Sequence, residues 1–173
     1  DQVVVNVTNL TGLTATPSNC TTGNQYSVAG QVSFTAAPPT GTLTVTSSCG
    51  GTQTFNAPFT SPLSYNLTGL TANGANCTVT AAFSAVPCSI TQNYTAPALP
   101  AIVASNDITF CIGGSTAISA TGGSTYTWNN GLGAGASHSV SPTSTTTYTV
   151  TGEDVNGCIG SHVVTVSLYT NPT

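Results

Sequence analysis

The segment EDVNGC gathers two carboxylates and an amide in a chain that has few carboxylates. Glu153 and Asp154 are two of only four acidic residues, and Asn156 follows them. Asp107 would join them if the strand after it packs beside this turn, and carboxylate and amide oxygens are the ligands that Ca²⁺ takes. The favoured interpretation is an Asx-type turn closed by Gly157. No metal site and no cofactor are therefore predicted.

A second candidate site is the aromatic pair in the segment TYTW, which contains Tyr126 and Trp128. The two rings alternate with threonine, so they lie on one face of a strand. If the two rings are exposed, they would form a platform on which the apolar face of a sugar stacks. Buried, they would be the aromatic core of a β-sandwich. The core interpretation is favoured.

Two histidines, His138 and His162, are the candidates for general base catalysis. Such a base must lie within hydrogen-bond reach of a nucleophile. No motif in the sequence places a serine or a carboxylate beside either imidazole. The first hundred residues contain no histidine, and their only charged side chain is that of Asp1. The sequence therefore predicts a protein that is not an enzyme.

Composition excludes two classes of partner. The chain has no lysine or arginine, and charged residues make up 2% of it, against roughly 25% in ordinary soluble domains. Without cationic side chains it has nothing to neutralise nucleic-acid phosphates or to attract an anionic membrane surface. No apolar run approaches the roughly 18 to 20 residues that span a bilayer. We therefore expect neither nucleic-acid binding nor membrane insertion.

Strand patterns dominate the chain. QYSVAGQVSF places Tyr26, Val28, Val32 and Phe34 on one face, and CTVTAAF repeats this period of two. Turn signals such as PPTG, ANG and VNG separate the patterns, and frequent glycine, proline and β-branched residues oppose helices. The predicted class is all-β, with two tandem antiparallel sandwiches of the immunoglobulin-like or fibronectin-like type. The stiff segment APALPA places their boundary near Pro100, giving domains 1–100 and 101–173.

Six cysteines without any CxxC spacing indicate disulfides and an oxidising, extracellular location rather than a zinc site. The second domain has only Cys111 and Cys158, which are expected to pair. Among the three pairings open to the first domain, Cys20 and Cys88 occupy places equivalent to those two. Cys49 and Cys77 would lie side by side if their strands are antiparallel neighbours. The predicted bridges are Cys20–Cys88, Cys49–Cys77 and Cys111–Cys158, each contributing about 2 to 4 kcal/mol.

Several longer segments carry a resemblance. CIGGSTAISATGGSTYTWNNG, followed by SVSPTSTTTYTVTGEDVNGC and HVVTVSL, resembles the immunoglobulin-like or PKD-like repeats of giant surface adhesins that gliding bacteria export by type 9 secretion. LSYNLTGLTANGANCTVTAAF is similar to the E strand, corner and F strand of a fibronectin type III domain. The resemblance implies secretion, display on the cell surface and many tandem copies.

The functional hypothesis is a non-catalytic repeat segment of a cell-adhesion protein, in a stalk or filamentous surface appendage. Its expected partners are neighbouring repeats of the same chain, with lateral self-association into filaments that few charges would oppose. One alternative is a carbohydrate- or surface-binding module that recognises surface glycans through the loop NNGLGAGASH. Another is a pair of accessory domains beside a secreted hydrolase. The chain has N-x-[ST] sequons at Asn6, Asn9, Asn19, Asn66, Asn76 and Asn93, but a threonine-rich chain makes many of these by chance.

Overall fold

A computed structural model describes residues 7–169, which leaves the sequon at Asn6 outside the described residues. The chain divides between Ala98 and Leu99 into two compact units, called unit 1 and unit 2 in chain order. Residues 7–169 form strands and turns and no helix, so none of them belongs to a helix long and apolar enough to cross a membrane. The predicted all-β class is confirmed.

Within residues 7–98, unit 1 has two sheets built from eight strands. In chain order the strands are β1 (Asn9–Leu13), β2 (Thr16–Pro17), β3 (Gln25–Thr35), β4 (Thr42–Ser47), β5 (Thr52–Asn56), β6 (Leu63–Thr71), β7 (Asn76–Phe83) and β8 (Ser89–Thr95). One sheet has the order β5-β4-β7-β8, and in the other β1, β2 and β6 all pair with β3. All of these pairs are antiparallel.

The core of unit 1 follows the period-two pattern of its strands. The predicted face of β3 is buried, and β7 buries Val79 and Ala81 in the same alternation. Phe34 of one sheet meets Phe83 of the other edge to face, with ring centroids 5.4 Å apart. Apolar side chains from both sheets thus interdigitate, and this burial drives the two layers together.

Unit 2 is a second two-sheet sandwich. Its strands are β9 (Val103–Ala104), β10 (Ile108–Cys111), β11 (Thr116–Thr121), β12 (Thr125–Trp128), β13 (Gly133–Ala134), β14 (Ser137–Val140), β15 (Thr146–Glu153) and β16 (Ile159–Tyr169). The sheets have the orders β10-β16-β15-β12-β13 and β14-β11-β9. Ile118, Trp128, Val150 and Val164 are buried between them.

One pairing in unit 2 departs from the antiparallel prediction. Strand β10 runs parallel to β16, with Ile108 beside Val166 and Cys111 beside Tyr169. The chain first pairs β9 with β11 in the smaller sheet and then passes to the larger one. Strands joined by a hairpin must be antiparallel. No hairpin joins β10 to β16, and the connection from β9 brings β10 to the larger sheet in the same direction as β16.

The disulfide Cys49–Cys77 is confirmed. Cys49 lies in the turn after β4 and Cys77 near the start of β7, with their Cα atoms 5.6 Å apart. Because β4 and β7 are antiparallel neighbours, with Ser47 opposite Val79, the end of one strand lies beside the start of the other. This is the arrangement that the sequence pattern predicts.

The other two predicted bridges, Cys20–Cys88 and Cys111–Cys158, are wrong. Cys88 and Cys111 carry free thiols, whereas Cys20 and Cys158 are disulfide-bonded. In unit 2 the reason is the length of β16, which has 11 residues. Cys158 directly precedes this strand and Cys111 lies beside its last residue, Tyr169. Roughly 35 Å of extended chain separates them, far beyond the limit of about 7 Å between bridged Cα atoms.

The same geometry separates Cys20 from Cys88 in unit 1. Cys20 precedes Thr21, which bridges to Gln25 at the start of β3, and the next residue along β3, Tyr26, reaches the Cys77 sulfur near the start of β7. Cys88 lies beyond the other end of β7, where its carbonyl accepts the Phe83 N–H. The 8 residues of β7 span roughly 25 Å.

These thiol assignments predict the outcome of alkylation. When the unreduced chain is unfolded in urea and treated with iodoacetamide, Cys88 and Cys111 should each take one label. Peptide mapping by mass spectrometry gives the labelled positions. A label on Cys49 or Cys77, or the absence of label on Cys88 and Cys111, would contradict the assignment. Reduction before alkylation is the control and should label all six cysteines.

Candidate functional site

The acidic turn is closed by its own side chain. Asp154 Oδ1 accepts the backbone N–H groups of Asn156 and Cys158, both at 2.9 Å. The Asp154 N–H in turn donates to the Cys158 carbonyl at 3.0 Å, and Gly157 takes a φ of 78°. A carboxylate that closes a turn in this way has one oxygen engaged by the backbone. The arrangement is that of an Asx turn.

The fourth calcium candidate, Asp107, lies far from this turn. Its Oδ1 accepts the Thr165 N–H at 2.7 Å, which extends the ladder between β10 and β16 by one bond. Glu153 is opposite Ile159, six residues before Thr165 on the same strand, so roughly 20 Å separates the two places. Among residues 7–169, no three His, Cys, Asp or Glu side chains form a group that could hold a metal ion.

The aromatic pair Tyr126 and Trp128 belongs to the packed interior of unit 2. The Trp128 side chain is 3% exposed, and its indole N–H donates to the Gly135 carbonyl at 3.0 Å. The half-buried Tyr126 hydroxyl donates to the Gly123 carbonyl at 2.7 Å and accepts the Gly123 N–H at 2.8 Å. The buried Trp128 ring therefore presents no free face of the kind that sugar stacking requires, and Tyr126 packs against the same core.

The two histidines also serve the fold. His162 Nδ1 accepts the Ala104 N–H at 3.2 Å and so links β9 to β16. The His138 ring stands edge-on to Trp128, with centroids 6.3 Å apart, and its Nε2 is buried without a hydrogen-bond partner. His162 thus bonds a neighbouring strand, and His138 packs against the core tryptophan.

The loop NNGLGAGASH, a candidate for glycan recognition, begins with two asparagines that are tied to β15. Asn129 Oδ1 accepts the Thr149 N–H at 2.9 Å, and Asn130 Nδ2 donates to the Thr147 carbonyl at 3.1 Å. These amides fix the start of the loop against the sheet. The amides are therefore already engaged by the protein itself.

Sequence reasoning missed a polar ladder on the surface of unit 1, between β7 and β8. Thr78 Oγ1 donates to Asn93 Oδ1 at 2.8 Å, and Thr95 Oγ1 donates to Asn76 Oδ1 at 3.1 Å. These four side chains line a shallow depression of about 480 Å³. Both asparagines belong to sequons, and each bonds the threonine of the other sequon. The sequons were the available signal, but only the strand register shows that they face each other.

A buried network of hydroxyl groups lies behind this ladder. Tyr94 contacts Ser47 Oγ at 2.7 Å and the Tyr26 hydroxyl at 3.2 Å, each distance measured from the Tyr94 hydroxyl oxygen. Burial raises the pKa of Tyr26 far above its usual value, and the bond to Tyr94 adds to the shift. Burial likewise raises the pKa of Tyr65 to about 12. The Tyr65 hydroxyl donates to the Thr14 carbonyl at 2.5 Å.

The sequence matches no protein family and no curated protein. Two solved structures are similar in shape. A BSP domain of a biofilm-associated protein is 20% identical, with a TM-score of 0.34 over 91% of this chain and 30% of that one. The C-terminal 282-residue fragment of intimin, solved with the intimin-binding domain of its translocated receptor, is 14% identical, with a TM-score of 0.40 over 90% of this chain and 63% of that one. This chain therefore spans less than two thirds of either.

The buried tyrosines predict alkaline unfolding. A tyrosine whose folded pKa is raised stays protonated at a pH where the unfolded chain ionises, so its stabilising contribution is complete below about pH 10 and falls as the pH rises towards about 12. The free energy of unfolding, from urea titrations at each pH, should decline over this window. Tyr65→Phe should lower stability by about 1 kcal/mol at neutral pH and make the alkaline decline shallower. An unchanged decline in this variant would contradict the assignment.

Trp128 distinguishes a core role from a binding role. Trp128→Ala should lower the free energy of unfolding by about 3 to 5 kcal/mol, because it empties a buried site. Urea unfolding followed by circular dichroism measures this. Val163→Ala, at an exposed position of β16, is the matched control and should change stability by less than about 0.5 kcal/mol. A stable Trp128→Ala variant would argue against the core assignment.

Proposed function

We propose that this chain is a non-catalytic structural segment of a large extracellular adhesin, one stretch of a stalk or filamentous appendage on a cell surface. The proposal rests on one observation: the side chains that could bind a ligand or catalyse a reaction are used to build the fold. Asp154 closes a turn, Trp128 fills a core and His162 links two strands. Residues that could bind or react are thus committed to holding the sandwiches.

The surface supports a spacer that packs beside copies of itself. With no lysine or arginine and four acidic residues, the chain has a formal net charge of −4, so long-range repulsion between copies is weak. The exposed face of unit 2 presents threonine hydroxyl groups, such as the neighbouring pair Thr147 and Thr165. We propose that lateral association through such hydroxyl and amide groups gathers the stalks into filaments.

Location and source belong to the same proposal. Disulfide bonds persist outside the cytosol, and Cys49–Cys77 is one. Together with the resemblance of residues 102–173 to repeats of type 9-secreted adhesins, this supports a secreted protein displayed on the surface of a gliding bacterium. There the appendage would serve adhesion and gliding motility.

One observation favours a second candidate, a carbohydrate-binding module. The depression lined by Asn76, Thr78, Asn93 and Thr95 presents amide and hydroxyl groups, which are the hydrogen-bonding groups that sugar hydroxyls pair with. A glycan array probed with the chain separates this candidate from a spacer. A spacer gives no signal, whereas a module gives a signal that Asn76→Ala with Asn93→Ala removes.

The spacer function is tested in the parent protein on its own cells. Residues 1–173 are replaced by an unrelated pair of β-sandwiches of equal length, and cell attachment to a surface is measured. Attachment should be retained, because a spacer contributes reach rather than recognition. Deletion of the same residues is the matched control and should shorten the appendage in electron micrographs. Loss of attachment by the replacement variant at equal surface display would overturn the proposal.

A further inference from the structure

Strand β8 lies at an edge of its sheet in unit 1 and pairs with β7 on one side only. The Ala96 N–H donates to the Ala75 carbonyl, and the Phe83 N–H donates to the Cys88 carbonyl, so the even-numbered residues of β8 are those that bond β7. Backbone N–H and C=O groups alternate in direction along a strand. Those of the odd-numbered residues therefore point away from the sheet, and we call this row of groups the β8 edge: Ser89, Thr91, Asn93 and Thr95.

The β8 edge is accessible to groups outside the sheet. The side chains of all four of its residues are exposed. One of its backbone groups already accepts a hydrogen bond from a side chain, because Gln92 Nε2 donates to the Asn93 carbonyl at 3.1 Å. An added strand could supply donors and acceptors of the same kind along the whole row.

Strand β8 lacks the features that protect an edge. Natural edge strands carry charges, prolines or bulges that prevent pairing with another chain. Residues 7–98 contain no charged side chain, and β8 contains no proline. Its register with β7 runs without a bulge over residues 89–95. The β8 edge is therefore open to a further strand.

The other edge strands among residues 7–169 are shorter or interrupted. The register of β1 shifts between Leu10 and Gly12, and β2 contains Pro17. The register of β6 also shifts, and its Asn66 N–H donates to Gln53 Oε1 at 2.8 Å. In unit 2 the strands β9, β10, β13 and β14 have two or four residues each. The β8 edge, at seven residues, is thus the longest with an unbroken register.

The sequence of β8, SITQNYT, is complementary to itself. When a second copy of the strand runs antiparallel about Gln92, Thr91 lies opposite Asn93 and Ser89 lies opposite Thr95. These are the residues whose backbone groups point outwards, so each facing pair can exchange two N–H···O=C bonds. Their side chains set hydroxyl groups beside an amide or another hydroxyl, and such polar cross-strand pairs stabilise a sheet.

The other face of β8 matches in the same register. Ile90, which is half-buried, lies opposite Tyr94, which is buried, so apolar side chains meet across the pair. Strand β5, the other edge of this sheet, does not match itself in this way. Its sequence TQTFN would set Gln53 opposite Phe55. The pattern of β8 therefore favours one partner, a second β8.

We infer that unit 1 pairs with a second copy of this chain by antiparallel addition of β8 to β8. The pair joins two four-stranded sheets into one continuous sheet, as in other cases of strand addition. The contact is two-fold symmetric and therefore closes on itself. With no charged side chain in residues 7–98, like charges do not oppose it. The inference rests on the lateral association in the proposed function, for which it names the surface.

Cysteine cross-linking of the full chain tests the pairing and its register. Cys88→Ser with Cys111→Ser removes the free thiols, and Gln92→Cys is added to this background. At the two-fold axis the Cα atoms of the two introduced cysteines are about 4.5 Å apart, a separation that a disulfide spans. Ser89→Cys in the same background is the matched control, because two such residues would be roughly 20 Å apart.

Under a glutathione redox buffer, the Gln92→Cys chain should form about tenfold more disulfide-linked dimer than the Ser89→Cys chain, the ratio that about 1.4 kcal/mol of association gives. Non-reducing electrophoresis measures the dimer, and peptide mapping identifies the linked residues. Equal cross-linking by the two variants would indicate a random or parallel contact and overturn the inference. Glutathione adducts alone, from both variants, would show that the strands do not pair.

A second measurement uses a charge in place of a thiol. Gln92→Lys sets two like charges opposite each other at the axis and should raise the dissociation constant of the dimer by about fivefold. Sedimentation equilibrium measures this constant, and circular dichroism confirms that the variant is folded. Thr52→Lys, at an exposed position of β5, is the matched control and should leave the constant unchanged. A wild-type chain that stays monomeric at every concentration would contradict the pairing.

These assays use purified chains, whereas the replacement experiment above measures the attachment of cells. A spacer that does not pair at β8 would pass the replacement experiment and fail to cross-link. A chain that pairs at β8 but serves in recognition would cross-link and lose attachment when replaced. The two proposals can therefore fail separately.

Discussion

The absence of cationic side chains constrains every polar interaction in this protein. With no lysine or arginine, no carboxylate can pair with a guanidinium or ammonium side chain. Asp107 and Asp154 instead accept backbone N–H groups, bonds that are stronger than neutral ones because the acceptor is charged. The acidic groups are thereby drawn into strand ends and turns. These carboxylates, which the sequence offers as candidate metal ligands, are thus part of the backbone hydrogen-bond network.

The same constraint shapes the sheets. Solubility must come from neutral groups, and threonine supplies a hydroxyl while favouring extended backbone. Along β15 the side chains of Tyr148 and Val150 are buried, and the threonines between them lie on the other face. Where threonine meets asparagine across β7 and β8, the polar groups bond each other. Between β7 and β8 the exposed face is therefore ordered by cross-strand hydrogen bonds.

The alternation of apolar and polar residues along a strand can be read from neighbouring residues alone. Predictions that depend only on this alternation were confirmed. The inward faces of β3 and β7, and the core position of Trp128, follow from period two alone. The Cys49–Cys77 bridge follows from one antiparallel neighbour relation. The Asn76 and Asn93 ladder depends on register, which the sequence pattern leaves open. The Cys111–Cys158 pairing rested on these being the only two cysteines of their domain, and the Cys20–Cys88 pairing on equivalence of position. Both failed because neither argument says which end of a strand a cysteine occupies.

The failure of the two predicted bridges has a physical reason. A bridge such as Cys49–Cys77 closes a loop of sequence separation 28 within one sandwich, so it restricts the unfolded state of that sandwich. Cysteines at opposite ends of a strand cannot serve this purpose for their own unit, however similar their surroundings in sequence.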